Sequence, residues 1–298
     1  MDIAKEIAAR AADIEQRIQT YLPKVEGYQH TIFEAMAYSV TAGGKRLRPM
    51  LMEASYEMFG GTDPKVVEPF MAAIECIHTY SLVHDDLPEM DDDAYRRGKL
   101  TTHKQFGQAM GVLAGDALLN YAFEIVAKAL VVQAGDAKAA KAFEVLARKA
   151  GVYGMIGGQV VDVESEKKNE TVERERLAFI YRLKTGALLE ASLMVGAILA
   201  GADDAQVKKM EEAGTKLGLA FQIQDDILDV TSTVEVLGKP IGSDEKNQKA
   251  TYVSFEGIDK AKQDVALFSK EAVAILEECS GEHAFLRELF LYLIHREK

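Results

Sequence analysis

Proline is missing from one long interval of this chain: of six prolines, none falls between Pro88 and Pro240. Proline breaks helix interiors, so a proline-free interval rich in Ala, Leu, Glu and Lys favours helices. Alternating strand patterns are scarce too; the best is VVDVE at 160–164, and it is weak. Cysteine is almost absent. Cys76 and Cys279 lie in apolar helical contexts, which reads as two buried reduced thiols in a reducing compartment. The sequence contains no Pro/Ser-rich linker, no low-complexity segment and no repeat beyond a recurring Asp pair. A length of 298 residues sets a prior of about two domains, but nothing marks a boundary, so 1–298 is expected to form one domain.

Positive charge is in deficit: 35 Lys and Arg stand against 47 Asp and Glu, a net charge of −12. That argues against nucleic acid or an anionic membrane as a general partner. The opening MDIAKEIAARAADIEQ has early acids and no apolar run, unlike a secretory signal. The most apolar stretch, Ala191 to Ala202, bounded by Glu190, is too short for a membrane span and reads as a buried core helix. The expected location is the cytoplasm.

Apolar residues recur at helical spacing, as in Ile3, Ile7, Ile14 and Ile18, and in Leu217, Phe221 and Leu228. Breaks fall at Gly60–Pro64, Ala134–Asp136, Glu166–Thr171 and Leu237–Ala250. The pattern predicts about ten helices in one all-α domain. The segment LGKPIGSDEKNQKA (237–250) is polar and marked by Gly and Pro; with Lys239 in it, it reads as a lid.

Two aspartate clusters stand out. HDDLPEMDDD holds Asp85, Asp86, Asp91, Asp92 and Asp93; FQIQDDILD holds Asp225, Asp226 and Asp229. Crowded carboxylates are costly unless a positive charge sits among them, and oxygen-only ligands suit a hard cation such as Mg²⁺. The clusters point to one site that grips a phosphorylated substrate through metal ions. In the second, Gln222, Asp225, Asp226 and Asp229 stand at i, i+3, i+4 and i+7, on one helical face with apolar flanks. The flanks weigh against a merely solvated acidic face. In the first, His78, Ser81 and Asp85 line one face, and Pro88 should end the helix and swing Asp91 back toward the site.

Cations complete the pattern. In Gly43-Gly44-Lys45-Arg46-Leu47-Arg48-Pro49, Lys45 and Arg48 are expected on one helical face, after a glycine pair that permits close backbone approach. Arg96 and Arg97 follow the first cluster, and Lys184-Thr185-Gly186 lies mid-chain. Arg offers bidentate bonds to phosphate oxygens and Lys a point charge.

With these residues in place, the chain resembles the trans-isoprenyl diphosphate synthases (polyprenyl synthetases), and among them the bacterial farnesyl diphosphate synthases. The matching motifs are GGKRLRP (43–49), HDDLPEMDDDAYRRGK (84–99), GDALL (115–119), KTG (184–186), FQIQDDILD (221–229) and GKPIGSDEK (238–246), in family order over most of the chain. The resemblance implies an all-α, isoprenoid-synthase-type bundle of about ten or more helices around a deep central cavity, as a homodimer. It implies condensation of isopentenyl diphosphate with dimethylallyl and geranyl diphosphate by ionisation, condensation and elimination. It assigns Asp85, Asp91 and Asp225, supported by Asp86, Asp226 and Asp229, to three Mg²⁺ ions. Arg96, Lys184, Thr185, Gln222 and Lys239 would meet the allylic diphosphate. Lys45, Arg48, His78 and Arg97 would hold isopentenyl diphosphate. Tyr80 and Phe221 are candidates to face the carbocation, and His84 is left as a packed residue without a catalytic role.

Rival readings are the same chemistry ending at C10 or C20, a class I terpene cyclase, an HD-type metal phosphohydrolase suggested by His84-Asp85 and His78, and a silent partner subunit. The repeated DDxxD and the second set of cations weigh against the last three. In the family, the residues four and five before the first Asp set the floor of the product cavity; here they are Ser81 and Tyr80. A bulky Tyr80 fits a C15 product. Tyr80→Ala or Tyr80→Gly is therefore expected to lengthen the product, and a mutant that still makes only C15 would refute the floor assignment.

Overall fold

The helix-forming sequence folds as helix almost throughout. The computed structural model describes residues 2–133, 135–167, 173–231 and 251–294. Among these, the only strands are Tyr95–Arg96 (β1) and Lys99–Leu100 (β2), which pair antiparallel with Tyr95 opposite Leu100. Backbone packing groups the chain into two units, Met1–Glu53 with Thr62–Phe143, and Ala54–Gly61 with Glu144–Lys298.

The first unit contains α1 (Ile3–Gln19), α2 (His30–Val40), the first turns of α3 (Leu47–Met58), α4 (Pro64–Asp85), the β1–β2 hairpin, α5 (Thr102–Phe106), α6 (Gln108–Val132) and the start of α7 (Ala137–Ala150). The predicted stripe of α1 is real: Ile7, Ile14 and Ile18 are buried. The break at Gly60–Pro64 also holds. Asp63 caps α4 by accepting from the Lys65 N–H at 3.0 Å, and Pro64 takes the first helical position, where no amide hydrogen is required. From Pro69 to Ile77 every α4 side chain is buried. Its main packing partner is α6. Cys76 is a free thiol in this core; burial, with Glu75 beside it, pushes its pKa up to about 12.

The second unit contains the last turns of α3, most of α7's C-terminal half, α8 (Met155–Lys167), α9 (Arg174–Ile180), a π-helical stretch (Tyr181–Gly186), α10 (Ala187–Ala200), α11 (Asp204–Thr231), α12 (Tyr252–Glu256), α13 (Ile258–Glu277) and α14 (Ala284–Ile294). α10 is buried from Ala187 to Leu199 and ends at Gly201, whose φ of 95° makes a left-handed cap. α11 crosses it closely: a β-carbon on Gly214 would lie 2.8 Å from the Cα of Glu190. The apolar setting encloses an ionic cluster. Lys149 donates to Glu190 and, at 2.6 Å, to Glu211, while the Thr215 hydroxyl donates to Glu190 at 2.6 Å.

Two expectations need correction. VVDVE at 160–164 lies inside α8, not in a strand. Its alternation is explained by one inward polar residue, the buried Asp162, between the partly exposed Val161 and Val163. The length argument against a membrane span also fails. Among the described residues, Pro64–Asp85, Gln108–Val132 and the continuous helical run Arg174–Ala200 are each long and apolar enough to cross one. Burial inside the protein accounts for 72% and 78% of the apolar window in the first and last of these, but for only 39% in Gln108–Val132.

Glu190 is 1% exposed, so removing its cation leaves a buried carboxylate uncompensated. Lys149→Met is expected to cost about 3–5 kcal/mol, read as a lower urea midpoint; an unchanged midpoint would show that the cluster contributes nothing to stability.

Candidate active site

In the first unit the site is built at the C-terminal end of α4. The helix is buried from Pro69 to Ile77, and His78, Ser81 and Asp85, the three residues predicted to share a face, are partly buried. Tyr80 turns away and is 6% exposed. Burial and the neighbouring Asp85 push its phenol up to about 12, so it stays neutral. α4 stops at Asp85, three residues short of Pro88. The chain then turns, and the Asp91 N–H donates to the Asp85 carbonyl at 2.9 Å. The expected return of Asp91 is thus a backbone hydrogen bond, which brings Asp91 against the helix end that carries Asp85.

Asp86 is already engaged. Arg96, on β1, grips it with Nε at 2.8 and 3.0 Å and Nη2 at 2.6 Å. Burial raises the Asp86 pKa, and Arg96 opposes that rise.

The cationic loop differs from expectation. Lys45 and Arg48 do not share a helical face, because α3 begins only at Leu47. Gly43 and Gly44 have φ of 96° and 133°, and Arg46 itself is left-handed at 49°, so the chain is not helical there. Arg46 holds this unusual turn. Its guanidinium is buried and donates to Glu15, to Glu75 at 2.5 Å and to the Val40 carbonyl at 2.5 Å, tying the loop to α1, α4 and the end of α2. Arg97, also left-handed at 53°, donates to the Gly43 carbonyl. Arg48 remains poised: its Nε is buried without a hydrogen-bond partner. A buried guanidinium N–H gains from an acceptor, and an anion such as a phosphate can supply one. Burial also pulls the Arg48 pKa down to about 10. His78 feels the same surroundings: burial, then Arg48, Arg97, Arg96 and Arg46, hold its pKa well below 6.5.

In the second unit the predicted face lies on α11. Gln222 and Asp225 are partly exposed; Asp226 and Asp229 are buried. Gln222 accepts from the Thr185 hydroxyl at 2.9 Å. Asp226 accepts from the Tyr181 hydroxyl at 2.5 Å and from the Tyr252 N–H at 2.7 Å, which ties the start of α12 to the aspartate helix. Lys184 pairs with Asp162 at 2.5 Å. Both Tyr181 and Lys184, with Thr185, belong to the π-helical stretch, an irregularity that favours functional positions. Lys239 and the segment 237–250 lie outside the described residues.

Residue-level reading missed four partners: Arg46, Glu75, Asp162 and Tyr181. Only Asp162 left a trace in sequence, as a lone carboxylate in the apolar run GGQVVD.

The donors fit Mg²⁺ in one particular way. Among the described residues, no three His, Cys, Asp or Glu side chains form a ready-made cage. Mg²⁺ commonly takes one or two carboxylates and completes its shell with water and substrate phosphate. The carboxylate oxygens of Asp85 and Asp91 in the first unit, and of Asp225 in the second, are the donor type that a hard cation such as Mg²⁺ takes.

The profile of the polyprenyl synthetase family matches residues 29–286. The chain is 44% identical over 273 residues to a farnesyl diphosphate synthase of Geobacillus stearothermophilus, covering 92% of this chain and 91% of that protein. It is 45% identical over 259 residues to a geranylgeranyl diphosphate synthase of Cyanophora paradoxa, covering 87% and 85%. Among solved structures, a Helicobacter pylori geranyltransferase complexed with magnesium and isoprenyl diphosphate superposes with a TM-score of 0.83 at 31% identity, covering 99% and 97%. A mostly helical fold with these relatives makes the chain a prenyltransferase. The chain belongs to the polyprenyl synthetase family.

His78 generates a pH prediction. Folded, it stays neutral; unfolded, it takes up a proton near 6.5. The stability due to its neutral form is therefore whole above pH 6.5 and lost as pH falls below that value. The thermal midpoint of the wild type should fall more steeply than that of His78→Gln between pH 7.5 and 5.5 (roughly the window of histidine titration). Parallel curves would contradict the assignment.

Proposed function

We propose that this protein is a Mg²⁺-dependent farnesyl diphosphate synthase, which joins isopentenyl diphosphate head to tail, first to dimethylallyl and then to geranyl diphosphate. The observation that supports this reading is the contrast between two sets of residues. One set of residues is carboxylate-rich: Asp85, Asp91 and Asp225, supported by Asp86, Asp226 and Asp229. The other is cationic and carries Arg48 with its unpartnered, buried Nε.

The contrast assigns the chemistry. Asp85 and Asp91 of the first unit, and Asp225 of the second, would hold Mg²⁺, whose charge when bound favours departure of the allylic diphosphate. Arg96, Lys184 and Lys239 would bind the same diphosphate. Arg96 and Lys184 are held ready by Asp86 and Asp162, carboxylates that keep each cation aligned until a stronger anion arrives. Lys45, Arg48, His78 and Arg97 would hold isopentenyl diphosphate without metal, so its C–O bond stays intact. The Thr185 and Gln222 oxygens, locked to each other, can stabilise an allylic cation electrostatically. Attack by the isopentenyl double bond forms the new C–C bond. A proton then leaves, with the released diphosphate as its acceptor, so no dedicated histidine base is required.

Buried Tyr80, with Ser81, favours C15. Kinship with both farnesyl- and geranylgeranyl-named synthases keeps C20 as the second reading. A homodimer through α6 is part of the proposal: Val112, Leu113, Val131 and Val132 are 42%, 52%, 77% and 86% exposed on that helix. A cytoplasmic location is also proposed, since the two buried free thiols fit a reducing compartment.

Incubating the pure protein with dimethylallyl diphosphate, isopentenyl diphosphate and Mg²⁺ tests the reading by product length. C15 is expected, and no condensation at all would sink it. Asp85→Ala and Asp225→Ala should each lower turnover by about 10²-fold or more while the fold persists, the scale for losing charge stabilisation at a leaving group. A near-normal rate in either would remove its metal role.

A further inference from the structure

His84 has no part in the chemistry above, yet its side chain is fixed from three directions. Its ring meets Tyr80 edge-on, one turn earlier on α4, with centroids 5.8 Å apart at 83°. Its Nε2 lies 3.0 Å from the Val112 carbonyl of α6. A carbonyl can only accept, so Nε2 carries the proton. Asp116 Oδ1 stands 3.8 Å from the same nitrogen. Behind the ring is Gly115, and any β-carbon there would fall within the imidazole. Glycine at this position of the GDALL motif therefore makes the slot that His84 fills.

We propose that His84 is a positioning residue that sets product length by holding Tyr80 in place. This rests on the reading of Tyr80 as the floor of the product cavity. A phenol ring pivots about its side-chain torsions unless something packs against it. Here the support is the edge of His84, and His84 is itself pinned to α6 through Val112. Removing the imidazole leaves a ring-sized space, because Gly115 has no side chain to fill it. Tyr80 can then swing into that space, and the floor drops. Specificity thus depends on a pair, a phenol that blocks and an imidazole that keeps it from yielding.

The test compares the products of wild type, Tyr80→Ala, His84→Ala and His84→Phe, reading the ratio of longer products to C15 rather than the rate. His84→Ala is expected to raise that ratio by roughly two- to tenfold, the range allowed by losing one edge-to-face pair. His84→Phe, which restores a ring edge without the bond to Val112, should return it toward wild type. Should His84→Ala fold poorly, His84→Gln carries the same expectation, since it keeps a donor for Val112 but offers no ring. If Tyr80→Ala lengthens the product and neither His84→Ala nor His84→Gln does, the inference is overturned while the floor stands. If none of them changes length, floor and inference fall together. A wild type that does not condense the substrates overturns the parent reading, and this inference with it.

Discussion

Burying carboxylates among apolar helices is the constraint on which the rest of this structure depends. An ionised side chain in such a setting must be matched by a cation, by hydrogen bonds or by an incoming ligand. Five buried acids show how. Glu190 has Lys149 and Thr215, Glu75 has Arg46, Asp86 has Arg96, Asp162 has Lys184, and Asp226 has Tyr181 with the Tyr252 amide. The first pairing is a structural tie within α7, α10 and α11. The others lie beside residues assigned to substrate, where matching charge also aims a side chain.

That dual use explains the local irregularities. Arg46 and Arg97 adopt left-handed backbone that other residues rarely take, and both belong to the cationic loop and hairpin. The clasp of Arg46 on three elements holds the turn that places Lys45 and Arg48. The π-helical stretch similarly presents Tyr181, Lys184 and Thr185 from a short segment, each to a different partner. In both regions regular helix gives way beside side chains proposed to meet substrate.

Much of this was legible in sequence because it depends on local periodicity. The stripe of α1, the break at Gly60–Pro64, the end of α4 before Pro88 and the return of Asp91 follow from spacing and from proline's missing amide. The aspartate face of α11 follows in the same way. Pairings across the fold did not show, because periodicity tells which face of a helix is apolar but not what packs on it. Arg46 was passed over because its acceptors, Glu15 and Glu75, are 31 and 29 residues away. Spacing alone puts Lys45 and Arg48 on one helical face, because two positive-φ glycines and a left-handed arginine are invisible to a helical wheel. VVDVE shows the opposite effect: a buried Asp162, paired with Lys184, mimics the alternation of a strand.

The central claim is that one diphosphate is held through metal and the other through cations alone. Titration calorimetry with each substrate separately, in Mg²⁺ and in chelator, tests it most directly. Isopentenyl diphosphate should bind with nearly the same affinity in both conditions and lose that affinity in Arg48→Ala. The allylic diphosphate should bind tightly only with Mg²⁺. Equal dependence of both substrates on the metal would contradict the account.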